Sequence, residues 1–185
     1  MNRSTSKLTT MISVCGLFAA LSVVIMLASY LGVTTYAVPA IAGSLLVIIY
    51  LEFGVKSAFT VYITVSVLSF LICEKEAALC YILFFGYYPF LKGFIEKIKN
   101  KTIQWILKIA LFTVAFALEM CFAVWFLGIP ISEMNMGYGT IGLVAFCLAL
   151  EVMFVVYDIA LTKVITLYLF RYRDNFRKMM RLNKK

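Results

Sequence analysis

The sequence predicts an all-α integral membrane protein that crosses the bilayer several times. Hydrophobic residues make up 64% of the 185 residues, and charged residues only 14%. A soluble domain of this size cannot hide so large an apolar fraction, because too much of its surface stays in contact with water. The apolar residues also fall into runs of roughly membrane length, separated by short polar connections. A bilayer is therefore the solvent that this composition requires.

Six apolar runs, each bounded by charged or turn-forming residues, are the predicted spans, and residues 1–170 are predicted to form a single six-helix domain. The runs fall at about 11–31, 36–51, 57–73, 77–91, 103–127 and 138–165. The first follows Arg3 and Lys7 as a signal peptide would, but it is a full membrane thickness long and no A-x-A-like site follows it. We therefore expect it to be retained as the first helix. The shorter runs fall below the ~20 residues of an upright span, a mismatch that flanking aromatic and basic side chains absorb.

Basic residues are concentrated on one side of the predicted bundle. They are Arg3, Lys7, Lys56, Lys92, Lys97, Lys99, Lys101 and seven residues of the tail 171–185. The other side carries Lys75 between two glutamates, and Glu133 in the loop 128–137. Because cytoplasmic loops carry an excess of Lys and Arg, both termini are expected in the cytoplasm of a multi-pass cell-membrane protein.

The net charge of +8 is then a consequence of topology, and such dispersed cations give little support to nucleic-acid binding. The basic tail 171–185 is interpreted as a topology anchor. It also suits anionic lipid, to which each cation near the surface contributes about 1 kcal/mol.

The last two spans form a predicted hairpin that carries ionisable residues into the membrane, where each is by default a functional-site hypothesis. Residues at equal depth on its two helices are related by reflection through the loop 128–137. Lys108 is then level with Asp158, which predicts a structural ion pair. Glu119 lies roughly level with Glu151, deeper in the membrane.

Glu119 and Glu151 have no cation at their predicted depth. Two facing carboxylates repel, so that one holds a proton or a cation lies between them. They are therefore candidate substrate-binding residues at the floor of an outward pocket, and a cationic or amine-bearing ligand fits them better than an anion. The alternative is that each is a protonated carboxyl hydrogen-bonded to a neighbouring helix. Trp125, near the outer end of span 5, is either a pocket wall or part of the interfacial aromatic belt.

No catalytic constellation, resident metal site or cofactor is predicted. The chain has no histidine and no G-x-S-x-G, P-loop or Gly-rich dinucleotide turn. Its cysteines are odd in number, form no C-x-x-C pair and lie in or beside apolar runs, where Cys packs as a small hydrophobe. We expect no enzyme activity, and an ATP-driven process would need another subunit to hydrolyse the nucleotide.

Span 1 contains a face of small residues. In "VCGLFAALSVV", Gly16 and Ala20 are four residues apart, a spacing that permits either internal packing or the docking of another helix. The start "KLTTMISVCGLFAALSVVIMLASYLG" and the following "YAVPAIAGSLLVIIYLEFGVKSAF" resemble the first helices of the substrate-binding (S) components of energy-coupling factor transporters. The resemblance covers roughly the first 65 residues in pattern and the rest in topology.

That resemblance implies the capture of a vitamin or metal ion from outside, in a pocket formed by outer loops and later helices. It implies two kinds of partner, a transmembrane coupling subunit and two ATPase subunits. Family members dock through an Ala-x-x-x-Ala face on helix 1, for which the matching spacing here is Gly16 with Ala20. The leading hypothesis is a substrate-capture subunit of an ATP-driven micronutrient importer. The alternative is a non-transport membrane scaffold or regulatory protein whose acids only hold helices together.

Overall fold

A computed structural model describes residues 3–32, 35–126 and 139–179, and within these segments the chain is helical apart from short turns. The helices are α1 Arg3–Leu27, α2 Ala37–Phe53, α3 Val55–Ile72, α4 Lys75–Cys80, α5 Tyr88–Ile95, α6 Lys101–Phe126, α7 Gly139–Leu167 and α8 Arg173–Met179. A 3-10 turn, Ala28–Leu31, extends α1, and π-helical turns at Tyr81–Phe85 and Tyr168–Tyr172 join α4 to α5 and α7 to α8. The all-α prediction is confirmed. Residues 127–138, which include the loop 128–137 with Glu133, lie outside the described residues, as does the end of the tail.

Four segments of the described chain are long and apolar enough to cross a membrane. They are Leu8–Leu31, Val55–Ile72, Lys75–Ile95 and Lys101–Phe122. The apolar helix α2 is shorter, and α7 carries three charged residues, Glu151, Asp158 and Lys163, along its 29 residues. Large apolar side chains such as Leu71, Ile106 and Val152 are exposed by 60% or more on the outer surface of the bundle. An apolar exterior of this extent matches hydrocarbon and not water.

The centre of the bundle is formed by α2 and by the segment from α4 to α5. Helices α1 and α3 pack on one side of α2, in a cluster that includes Met26, Leu46 and Val65. Helices α6 and α7 pack on the other side, against a cluster that includes Phe84 and Phe154. The segment Lys75–Ile95 is the most buried of the four candidate spans.

The contact between α2 and the first π turn depends on Gly43. A Cβ added at Gly43 would lie 2.2 Å from the carbonyl oxygen of Phe85, closer than real Cβ atoms approach. The π turn precedes Pro89, which has no N–H to donate to the Phe85 carbonyl four residues earlier. Within the turn, Gly86 donates its N–H to the Tyr81 carbonyl five residues back, at 2.8 Å. The irregular turn therefore lets α2 approach the backbone of the central segment.

Part of the basic tail folds back onto the bundle as α8. Arg173 Nε and Arg177 Nε lie 2.9 Å and 2.6 Å from the carboxylate oxygens of Glu52, whose side chain is only 1% exposed. The ring of Phe176 contacts the rings of Phe18 and Tyr168 edge to face. This end of the tail is thus a packed element at the end of α2, in addition to the anchor that the sequence predicts.

Candidate functional site

A cavity of about 50 Å³ lies between the start of α2, the α4–α5 segment, α6 and α7. Its wall is mostly aromatic, and its aromatic members are Tyr36, Phe84, Phe85, Phe112, Phe116, Phe154 and Tyr157. The remaining lining residues are Ala40, Cys80, Glu119, Leu150 and Met153. Among these lining residues, Glu119 alone is charged.

The wall follows from helix periodicity. On α6 the lining positions 112, 116 and 119 are spaced i, i+4 and i+7, and on α7 the positions 150, 154 and 157 repeat that spacing. Residues at these intervals share one helix face, so two facing stripes enclose the space. The π turn supplies Phe84 and Phe85 from the third side. Ring contacts join the three sides, as between Phe84 and Phe112 with centroids 5.2 Å apart.

Glu119 faces this cavity without a compensating cation. Its Oε1 accepts a hydrogen bond from the thiol of Cys80 on α4. None of the ion pairs found in the described part of the chain includes Glu119. A carboxylate in apolar surroundings is costly unless it is paired or retains a proton. The cavity therefore contains one unbalanced acidic group.

Tyr157 adds a second unsatisfied polar group to the wall. Its hydroxyl oxygen is buried and has no hydrogen-bond partner among the described residues. Buried hydroxyls normally have a partner, and an unpaired one costs free energy comparable to a lost hydrogen bond. The wall thus offers a carboxylate and an unpaired hydroxyl within an otherwise apolar space.

Glu151 does not share this site, which corrects the expectation that it faces Glu119. It accepts a hydrogen bond from Thr113 Oγ1 at 2.8 Å and does not line the cavity. Thr113 precedes Glu119 by six residues on α6, or roughly 9 Å along the helix axis. Reflection through the loop already leaves the two glutamates about five residues, or ~7.5 Å, apart in depth.

Trp125 and the small-residue face of α1 lie elsewhere. The Trp125 side chain is 93% exposed and is not part of the cavity wall, so the structure places it at the outer surface of the bundle. Gly16 and Ala20 are exposed on α1, and a Cβ added at Gly16 would meet nothing within 4 Å. In the described chain this face is therefore open and not used for internal packing.

A buried charge cluster lies beside the cavity and contains the predicted ion pair. Lys108 Nζ lies 2.9 Å from Asp158 Oδ2, and Lys92 also pairs with Asp158. Glu96 Oε1 lies 3.1 Å from Lys92 Nζ and 2.9 Å from Lys108 Nζ, so that two lysines and two carboxylates alternate in a closed ring. Tyr88 donates its hydroxyl hydrogen to Asp158 Oδ1 at 2.5 Å.

Sequence reasoning missed half of this cluster. It placed Lys92 in a cytoplasmic loop, whereas Lys92 lies on α5 with a fully buried side chain. The helix continues to Ile95, beyond the predicted end of span 4 at residue 91. The spacing of Lys92 and Glu96, i and i+4, is the signal that could have revealed a helical ion pair there.

The cluster and the cavity are joined by an aromatic layer. The ring centroid of Tyr88 lies 4.7 Å from that of Phe84 and 5.4 Å from that of Phe154, both of which line the cavity. The hydroxyl of the same Tyr88 contacts Asp158. Because the acids and lysines of the cluster are all paired, the cluster locks α5, α6 and α7 together, and the cavity retains an acid without a cation.

A larger groove of about 430 Å³ lies between α2, α7 and α8. It is lined by Ile48, Val164, Leu167, Tyr168, Tyr172, Asn175 and Phe176. These lining residues include no charged side chain, so the groove offers less selective chemistry than the cavity at Glu119.

Comparison with protein-family models, with curated proteins and with solved structures finds no match to this chain.

Proposed function

We propose that this protein is a membrane-embedded substrate-capture subunit of an ATP-driven importer of a vitamin-like or other small nutrient. The observation that carries the proposal is the aromatic cavity with one uncompensated carboxylate, Glu119, between α2, the α4–α5 segment, α6 and α7. Apolar cavities with a few convergent polar groups are the usual sites for small molecules. The position of this cavity, mostly among the later helices, agrees with what the resemblance to energy-coupling factor S components implies.

The proposal includes six spans with both termini in the cytoplasm. Its support is the charge distribution, since Lys56, Lys97 and Lys99 and the basic tail lie at one end of the helices and Glu74 and Glu76 at the other. In this orientation, Tyr36 at the start of α2 and Glu119 near the end of α6 lie in the outer half of the membrane. The cavity is then accessible from outside the cell.

The partners are a transmembrane coupling subunit and two ATPases, because the chain itself has no nucleotide-binding motif. The exposed pair Gly16 and Ala20 is the proposed docking face for the coupling subunit, since small residues allow two helices to approach closely in lipid.

The test of capture is the small molecule that remains with the protein. After purification in mild detergent, mass spectrometry should detect one small molecule in stoichiometric amount, and Glu119→Gln should retain at most about a tenth of it. That loss corresponds to about 1.4 kcal/mol of binding free energy. Glu151→Gln is the matched control, because Glu151 lies outside the cavity. Wild-type protein that carries no small molecule and binds none would contradict capture.

A second candidate, a non-transport scaffold or regulator, is favoured by the fully paired charge cluster, which holds three helices together without any ligand. Co-purification separates the two functions. An importer subunit should bring down a coupling protein and two ATPases, and Gly16→Leu with Ala20→Leu should release them. Ala110→Leu is the control, because it enlarges an exposed alanine on α6. If wild-type protein brings down no ATPase, the scaffold is the better reading.

A further inference from the structure

We propose that the cavity at Glu119 selects an organic ammonium group that carries a single positive charge. Glu119 is its counterion, and the surrounding rings form an aromatic box. This inference rests on the proposed capture function and names the chemical class of the captured molecule.

The cavity wall contains an acidic side chain and no basic one, and this imbalance predicts the charge of the ligand. Two buried carboxylates elsewhere in the described bundle are matched by cations, Glu52 by two arginines and Asp158 by two lysines. Glu151, outside the cavity, has Thr113 as a donor and no cation among the described ion pairs. Glu119 is matched only by a thiol hydrogen from Cys80. Because the wall contains one acid and no basic side chain, a ligand with one positive charge balances it and an anion does not.

The rings specify an organic cation. The faces of aromatic rings carry negative potential and attract ammonium groups, and aromatic boxes are a common means of binding them. Phe112 and Phe154 are stacked on each other with centroids 4.7 Å apart, so a cation can meet only their outer faces, and Phe84 lies edge-on to both at 5.2 Å and 5.5 Å. A hard metal ion instead requires about six oxygen ligands, and this wall offers only a carboxylate and two tyrosine hydroxyls.

The size of the cavity restricts the group that it encloses. Its volume of about 50 Å³ is far below the ~300–1,000 Å³ of pockets that enclose whole drug-sized ligands. The enclosed part is therefore a compact head group, such as a methylated or primary ammonium. The unpaired hydroxyl of Tyr157 can accept a hydrogen bond from an amine N–H.

The experiment uses the full chain in mild detergent, freed of bound small molecules by washing. Calorimetric titration would compare methylammonium, tetramethylammonium and choline with 3,3-dimethylbutanol, the neutral isostere of choline. We expect at least one of the cations to bind, and choline to bind at least tenfold more tightly than its neutral isostere if choline is that cation. For the cation that binds, Glu119→Gln should weaken affinity at least tenfold, and Glu151→Gln should leave it within twofold of wild type.

A second variant tests the contribution of the aromatic box to binding while Glu119 stays in place. Phe112→Leu keeps an apolar wall but removes one aromatic face, so it should weaken the cation several-fold and leave any binding of the neutral isostere unchanged. Equal losses for the cation and the isostere would contradict the aromatic box.

The outcomes also separate this inference from the capture function. If a neutral or anionic molecule is recovered from the purified protein and its retention depends on Glu119, the capture function stands and the ammonium assignment is overturned. If none of the three cations binds and no small molecule is recovered, both are overturned. Recovery of an amine or quaternary ammonium compound supports both.

Discussion

Asp158 shows how a single residue keeps a full charge inside this apolar bundle. Its carboxylate forms ion pairs with Lys92 and Lys108 and accepts a hydrogen bond from the hydroxyl of Tyr88, and its side chain is only 4% exposed. Charged side chains within a membrane are costly unless they pair with one another. Glu119 is in the opposite situation, because it accepts a hydrogen bond from a thiol and has no cation among the described ion pairs. The two acids on neighbouring helices therefore differ, since Asp158 is paired within the bundle and Glu119 is the counterion of the proposed ligand.

Asp158→Ala is expected to destabilise the bundle strongly, because it leaves two buried lysines to share Glu96. Breaking a buried ion pair by removing one partner costs about 3–5 kcal/mol. Thermal unfolding in mild detergent would measure the loss. Lys163→Ala, on the same helix but at an exposed position, is the control and should leave the melting temperature nearly unchanged. Equal melting temperatures for the two variants would contradict a structural role for the cluster.

At the scale of elements, the segment from α4 to α5 organises the bundle by being irregular. The π turn at Tyr81–Phe85 lies between two short helices and supplies two rings to the cavity wall. Such π segments inside helices occur frequently at functional sites. Gly43 of α2 permits the close approach to this turn, so the cavity depends on a glycine in a different helix.

Gly43→Ala should destabilise the protein, although Gly→Ala in an unobstructed helix stabilises by up to about 1 kcal/mol. The added Cβ would lie 2.2 Å from a backbone oxygen, which cannot rotate away as a flexible side chain can. Overpacking of this kind typically costs about 1–3 kcal/mol. Gly16→Ala is the matched control, since it places a Cβ in open space on another helix and should be neutral or stabilising. Thermal melts of the two variants that shift in the same direction would argue against the close contact.

At the scale of the whole molecule, the helices alternate in direction, and their ends differ in charge and in packing. One end carries the 97–101 lysines and the α8 segment bound to Glu52, and the other carries Glu74, which accepts a hydrogen bond from Thr35 at 3.3 Å. The charge cluster lies toward the first end and the cavity toward the second. The charged groups of the cluster are thus paired, whereas Glu119 in the second half has no cation among the described ion pairs.

Labelling of single cysteines would test the proposed orientation. In a background with the native cysteines replaced by alanine, Lys75→Cys should react with a membrane-impermeant maleimide in intact cells. Lys99→Cys should react only after the cells are permeabilised, because the proposed orientation puts the basic end in the cytoplasm. Both lysines are exposed, so accessibility within the protein does not differ between them. Labelling of Lys99→Cys in intact cells would contradict the orientation.

Much of the fold was predictable from local patterns. Each of the six apolar runs overlaps one or more of the described helices, and reflection through the loop alone predicted that Lys108 lies level with Asp158. The pairing of Glu119 with Glu151 failed because the same reflection leaves them several ångströms apart in depth. The burial of Lys92 was not predicted, because a lysine at the end of an apolar run gives the same sequence pattern whether its side chain reaches water or pairs with a buried acid.

The sequence by itself determined the apolar solvent, the helical class and the approximate positions of the helices, because these depend on composition and on periodicity within each segment. Only tertiary structure could place Cys80 against Glu119, gather rings from three helices around that carboxylate and dock Arg173 and Arg177 on Glu52. The contacts of Glu119 with Cys80 and of Glu52 with Arg177 join residues 39 and 125 positions apart. The geometry of all these contacts depends on the rotation of each helix about its axis. That rotation is decided by packing, through features such as Gly43 and the π turn, and no local pattern encodes it.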